Sequence, residues 1–249
     1  MRILLLDIET APALVDVWSL FKTTVAINQI HKASYMLCWA AKWLDDDKIF
    51  FDSVHNHDGK PRLMLHSLHR LMDEADAIVT YNGNSFDLPT INKEFLKSKF
   101  LPPAPYKSID IYQTTKKKFR FMSNKLDHVI QELEIGMKYK HEGHPLWRKC
   151  VAGNAAAWKR MQKYNETDVI QMEKLYKRIL PWITSHPNLA THEEGMCCPH
   201  CTSINYQRRG FALTTTQKYP RYQCKDCGTW FRGNRTTYHA REKATAVSA

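Results

Sequence analysis

The stretch that most constrains this chain is its opening apolar run, Ile3-Leu4-Leu5-Leu6-Asp7-Ile8-Glu9-Thr10. An apolar run of this kind reads as a strand covered on both faces, as found at the centre of a parallel sheet. Acids do not belong inside such a strand, so Asp7 and Glu9 mark its open end. Side chains two residues apart leave the same face of a strand, and the two carboxylates therefore project together. Like charges held side by side repel unless a cation lies between them, and a divalent metal is the usual solution. The plainer alternative is a strand that runs out into a solvated polar turn. An isolated Asp-x-Glu does not choose between the two.

Residues 12–32 show no clean period. Residues 34–44 and 48–54 read as second and third strands, joined through Asp45-Asp46-Asp47, which suits a polar hairpin turn better than a metal cluster. Leu63, Leu65, Leu68, Leu71 and Met72 recur at helical spacing behind Pro61, and His66 and His69 on that helix read as surface residues. A short strand at 77–81 ends in a turn at 82–89, which leads into a helix reaching about Lys99. Residues 108–112 read as a strand and 125–133 as a helix. The polar, Lys- and His-rich span 136–153 reads as a mobile insertion, and helical spacing returns over 155–182. Strands first, then strands alternating with helices, indicate an α/β domain built on a mixed sheet. A chain of 249 residues has room for one mid-sized domain and something small. The expected division is 1–183 for the α/β domain, 184–195 for a linker and 196–249 for a second, small domain.

Two further acids stand at informative places. Asp87 closes Tyr81-Asn82-Gly83-Asn84-Ser85-Phe86-Asp87 after a strand, where it could equally cap the following helix. Asp168 follows Tyr164 by four residues on a helical stretch, so the phenol and the carboxylate share a face. The plain reading of Tyr164 is a ring packed on the helix surface.

Taken in order, these pieces resemble the tyrosine branch of the DEDD superfamily of 3′–5′ exonucleases, which share the ribonuclease H-like fold. Asp7 and Glu9 in Asp-Ile-Glu-Thr match its first motif, Asn82 with Phe86-Asp87 the second, and Tyr164-x-x-x-Asp168 the third. The wording around Asp87 is similar to the proofreading domains of family B DNA polymerases, and the resemblance covers roughly residues 1–183. The histidine branch would place His where this chain has Lys163. The resemblance implies a mixed sheet flanked by helices and a site of four carboxylates holding two Mg²⁺ or Mn²⁺ ions. Asp7, Glu9 and Asp168 would bind metal, Asp87 would help hold the second ion, and Tyr164 would position the attacking water. Thr10, Asn82 and Phe86 would lie near the terminal nucleotide.

The C-terminal residues have a different character. From Met196 onward nine Lys and Arg stand against two acids, a net of +7, which leaves +4 of the chain's +11 for the first 195 residues. Five of the seven cysteines also crowd there. Cys198-x-x-Cys201 and Cys224-x-x-Cys227 have the spacing of a tetrahedral four-thiolate Zn²⁺ site, for which Cys197 is a rival first ligand. The stretch from Arg221 to Phe231 resembles zinc ribbons of DNA-binding proteins. Arg208, Arg209, Arg221, Arg232 and Arg235 alternate with aromatic residues, the combination that binds single-stranded nucleic acid. Trp230 and Phe231 read as the small core of this ribbon.

No apolar run approaches the roughly 20 residues of a membrane span, and no signal-peptide pattern opens the chain. A cytoplasmic location is expected, in a bacterium or encoded by a bacteriophage. The expected partner is nucleic acid, DNA favoured over RNA, cut from its 3′ end. The rivals are an exoribonuclease, a transposase and a non-catalytic zinc-ribbon adaptor, the last of which would be expected to have lost an acid.

Overall fold

The protein is described by a computed structural model, which defines residues 1–137 and 139–234. Two compact units divide the chain, one over Arg2–Tyr176 and a second beginning at Lys177. Among the described residues no helix is long and apolar enough to cross a membrane.

The first unit is a five-stranded mixed sheet flanked by helices, as the sequence leads one to expect. In chain order its strands and helices are β1 (Ile3–Thr10), β2 (Leu14–Val15), β3 (Ile30–Lys32), β4 (Met36–Trp43), β5 (Ile49–Ser53), α1 (Pro61–Asp73), β6 (Ala77–Thr80), α2 (Asp87–Lys97), β7 (Lys107–Asp110), α3 (Ile111–Lys118), α4 (Leu126–Glu132), α5 (His144–Val151) and α6 (Ala155–Ile179). The sheet order is β5-β4-β1-β6-β7, with β4 antiparallel to both neighbours and β1, β6 and β7 parallel. β1 is central, and Leu4, Leu5 and Leu6 are fully buried. α1 covers the sheet with Met64, Leu65, Leu68 and Met72, all on one face of the helix, and the Trp39 indole N–H on β4 donates to the Met64 carbonyl (3.0 Å).

The register of β1 positions the site. Toward β4 it pairs through Thr10, but toward β6 it pairs only at Ile3, Leu4 and Leu5. Beyond Leu5 the β6 side of the strand is open, and there Asp7 and Glu9 emerge half-buried. The carboxyl ends of the three parallel strands thus face one crevice, the usual ligand position in open α/β sheets.

Three regions differ from the sequence reading. The expected mobile insertion at 136–153 contains helix α5, with Pro145 in its first turn and Leu146 and Cys150, one turn apart, buried. Its charged residues obscured two core contacts. β7 stops at Asp110, whose carboxylate accepts the Tyr112 N–H (3.1 Å) and caps an unforeseen helix, α3. Residues 12–32 carry the small β2–β3 ribbon, whose connection exposes Trp18, Leu20, Phe21 and Ile27.

The second unit holds an antiparallel sheet of β8 (Tyr206–Leu213), β9 (Lys218–Cys224) and β10 (Trp230–Arg232), ordered β10-β9-β8. Tight turns bring the cysteine pairs together: the Thr202 N–H donates to the Cys198 carbonyl (2.9 Å) and the Gly228 N–H to the Cys224 carbonyl (3.2 Å). Gly228 takes φ +81, open to glycine at little steric cost.

Candidate active site

A cleft of about 580 Å³ lies at the carboxyl ends of the parallel strands, and Asp7, Glu9, Asn82, Phe86, Asp87, Tyr164 and Asp168 all line it. Asp7 and Glu9 come from β1, Asp87 from the first turn of α2, and Tyr164 and Asp168 from α6. Oxygens of Asp7, Glu9 and Asp168 lie within 4.8 Å of one another, a group able to hold a metal ion. Asp87 sits on the same cleft outside this triad.

The turn before α2 explains where Asp87 points. Asn82 adopts φ +69, and the Asn82 and Asn84 N–H groups donate to the two oxygens of Asp110 (2.9 and 3.2 Å). Gly83 is required there, because a Cβ would fall 2.2 Å from Thr80 Oγ1. Phe86 takes the cap position of α2, so Asp87 is not the N-cap that its place in the sequence suggested. Its Oδ1 accepts the Ile8 N–H (3.2 Å), beyond the last β6 pair of β1. Burial pushes the Asp87 carboxyl up to about 7; the Ile8 N–H and its own backbone N–H oppose the rise, and nearby Asp110 adds to it.

On α6, Tyr164 is hydrogen-bonded to Asp168, as their four-residue spacing allows. Burial, then the negative charges of Asp168, Glu9 and Asp7, hold the phenol protonated far above its ordinary range. The His141 and Trp147 rings meet the Tyr164 ring edge-on at 4.7 and 5.7 Å, which fixes its plane.

Two contacts escaped the sequence reading. The fully buried Asn165 donates from Nδ2 to Asp7 Oδ2 (2.6 Å), and the Trp147 indole N–H donates to Glu9 Oε2 (2.9 Å). Asn165 lies between the residues of the third motif, a signal that was available. Trp147 lies in the stretch read as an insertion, where its apolar neighbours Leu146 and Cys150 were the only hint. Tyr81, Tyr112 and Lys125 also line the cleft. Thr10 ends β1 beyond a register shift after Glu9 and is not among the described residues that line the cleft.

In the second unit, Cys198, Cys201, Cys224 and Cys227 form a group able to hold a metal ion, with Cys198 rather than Cys197 in the set. The Cys198–Cys227 and Cys201–Cys224 Sγ separations are 3.6 and 3.7 Å. Four sulfurs at about 2.3 Å from a tetrahedral Zn²⁺ stand roughly 3.8 Å apart, so this donor set fits zinc. His200 is outside it; its Nδ1 lies 3.2 Å from the Leu180 carbonyl and 3.1 Å from Thr229 Oγ1. Arg208 and Arg209 lie on β8, Arg221 on β9 and Arg232 on β10, whereas Arg235 lies outside the described residues. Phe231 packs with Tyr206 and Tyr222, as a core residue should. Trp230 does not: it is 48% exposed, so its reading as core is wrong. Alternation along β10 puts the two neighbours on opposite faces.

The model of a family in the RNase H superfamily matches residues 29–180, a span that starts after Asp7 and Glu9. Among curated proteins none matches the chain. One solved structure with the same fold is that of the family B DNA polymerase from the hyperthermophilic archaeon Pyrobaculum calidifontis. The TM-score is 0.55 at 16% identity, over 72% of this chain and 24% of the polymerase chain.

Proposed function

Because the chain belongs to the RNase H superfamily, we propose that it is a metal-dependent 3′–5′ exonuclease that hydrolyses DNA, single-stranded ends above all. The observation that carries this reading is the convergence of Asp7, Glu9 and Asp168 on one side of an open cleft, with Tyr164 hydrogen-bonded beside them. The donors are all carboxylate oxygens, which suit Mg²⁺ or Mn²⁺ and not a soft metal. Asp7, Glu9 and Asp168 would hold one cation, and Asp87 would share in holding a second. Divalent cations bound there lower the pKa of water and offset charge on the phosphate.

The remaining work falls to the chain's own groups. Tyr164 lines the cleft beside Asp168, where its phenol would orient a water or a phosphate oxygen. Asn165 holds Asp7 and Trp147 holds Glu9 from outside the cation position, so neither carboxylate has to reorganise when charge arrives. Phe86, Tyr81 and Tyr112 offer rings to the terminal bases, and Lys125 offers a charge to the backbone. In the second unit a structural Zn²⁺ would be held by the four cysteines, supplying much of the folding free energy of so small a core.

The test is digestion of single-stranded DNA and RNA, each labelled at its 5′ end, with Mg²⁺ or Mn²⁺. Ladders that shorten from the 3′ end, faster on DNA and lost in Asp7→Ala, are expected. Faster loss of RNA would reassign the substrate, and undiminished cleavage by Asp7→Ala would remove the site.

A further inference from the structure

The three-stranded sheet of the second unit has two unlike faces, and its register assigns each residue to one of them. Gln207 pairs with Gln223 and Gln223 with Trp230, so these three share a face; Arg221, two residues from Gln223 and opposite Arg232, shares it as well. Arg209, one residue beyond the pair Arg208–Tyr222, turns to the same side just before the strand bulges at Gly210. On the other face lie Tyr206, Tyr222 and Phe231, packed together near Cys224.

The first face is built around an open ring. Trp230 is half exposed, with the Arg221 guanidinium 5.0 Å and that of Arg209 5.8 Å from its ring centroid. Arg209 also donates to Gln223 (3.3 Å), and Arg221 Nε donates to the Arg209 carbonyl (3.0 Å). Arg232 stands 4.0 Å over the ring of Tyr219, which alternation puts on the same face. Three arginines are thus oriented by aromatic rings and amides, and none has a carboxylate partner among the described residues. Arg208 belongs to the opposite side, near Phe211 (5.1 Å), where Lys218 also lies.

We propose that this face, centred on Trp230 and flanked by Arg209, Arg221 and Arg232, is a binding platform for single-stranded nucleic acid. Trp230 stacks on a base and the guanidinium groups track the adjoining phosphates. Every base has a π-face, so the platform is indifferent to sequence. It separates the arginines of the ribbon by role: Arg209, Arg221 and Arg232 contact the strand, and Arg208 does not. The platform acts without the carboxylate cleft, so it stands or falls separately from the cleavage chemistry.

The test is fluorescence anisotropy of a labelled single-stranded oligothymidylate with the full-length, zinc-loaded chain and no added Mg²⁺ or Mn²⁺, titrated over a range of salt. Trp230→Ala is expected to weaken binding roughly 5- to 150-fold, the loss of one stacked base, with the salt slope unchanged because no charge is removed. Arg209→Ala and Arg221→Ala should each weaken binding and flatten the slope by about 0.7, as for one counterion on a single strand. Arg208→Ala should match the parent. Trp230→Phe, which keeps a ring, should retain most of the affinity, and zinc content reports whether each variant keeps its fold. Parent-like binding by zinc-replete Trp230→Ala, or equal damage from Arg208→Ala and Arg209→Ala, would overturn the platform. A chain that binds no single strand by this sheet and captures a protein there would overturn it equally.

Discussion

Lys42 on β4 and Glu173 on α6 form an ion pair in which both side chains are only 9% exposed. Glu173 also accepts the Asp45 N–H through its other oxygen (3.2 Å). This bond ties the last helix of the α/β unit to the strand beside β1, five residues after Asp168 on the same helix. Removing one member of a buried pair strands the other charge in a poorly solvated place, which costs about 3–5 kcal/mol. With a urea m value of about 2 kcal/mol/M, the unfolding midpoint of Lys42→Met or Glu173→Leu should fall by about 1.5–2.5 M. The double variant Lys42→Met/Glu173→Leu, with no charge left to bury, should return to within about 1 kcal/mol of the parent. Urea titrations of the four chains at pH 7, followed by far-UV circular dichroism, complete a double-mutant cycle. Single variants that each cost under about 1 kcal/mol and add independently would refute the claim that this pair holds α6 in register.

Trp147→Phe removes a hydrogen bond to Glu9 worth about 1.5–3 kcal/mol, so cleavage should slow about 10- to 150-fold and require more Mg²⁺ at half-saturation, with unchanged circular dichroism. Gly83→Ala drives a Cβ against Thr80 and should cost about 1–3 kcal/mol by thermal or urea unfolding. The Asp87 carboxyl is raised from 3.8 to about 7 in the folded chain, so its contribution is favourable below pH 4 and is lost as pH rises through 7. Zinc-loaded protein free of Mg²⁺ should therefore lose stability between pH 4 and 8 by up to about 4 kcal/mol more than Asp87→Asn does. Equal pH slopes for the two chains would contradict this. A strong zinc chelator should make residues beyond 195 protease-sensitive while the α/β unit stays resistant, as read from the fragment masses.

What was legible in the sequence is what local periodicity encodes. Asp7 and Glu9 share a strand face and Tyr164 and Asp168 a helix face because the spacings of two and four are fixed by backbone geometry. The central strand announced itself by having no polar relief, and the cysteine pairs by their spacing. What local spacing cannot carry is the partner across the fold. Trp147 reaches Glu9 over 138 residues and Asn165 reaches Asp7 over 158. α5 hid because Arg148 and Lys149 dilute a short apolar stripe, and α3 because its cap, Asp110, reads equally well as a strand end. Trp230 was misplaced because two adjacent aromatic residues on a strand cannot both face the core. Only the register decides which one turns outward.

The carboxylate triad draws its first members from residues 7 and 9 and its last from residue 168. During synthesis at about 5–20 residues per second, the first two acids leave the ribosome on the order of ten seconds or more before the third. Through that interval the nascent chain lacks Asp168, Tyr164 and the Asn165 amide that fixes Asp7. A polypeptide that grows beside messenger and transfer RNA therefore carries an incomplete centre until nearly the whole domain exists. Chains terminated before Asp168 lack the third carboxylate, so the order of the strands and helices defers completion of the triad to the last helix of the α/β unit.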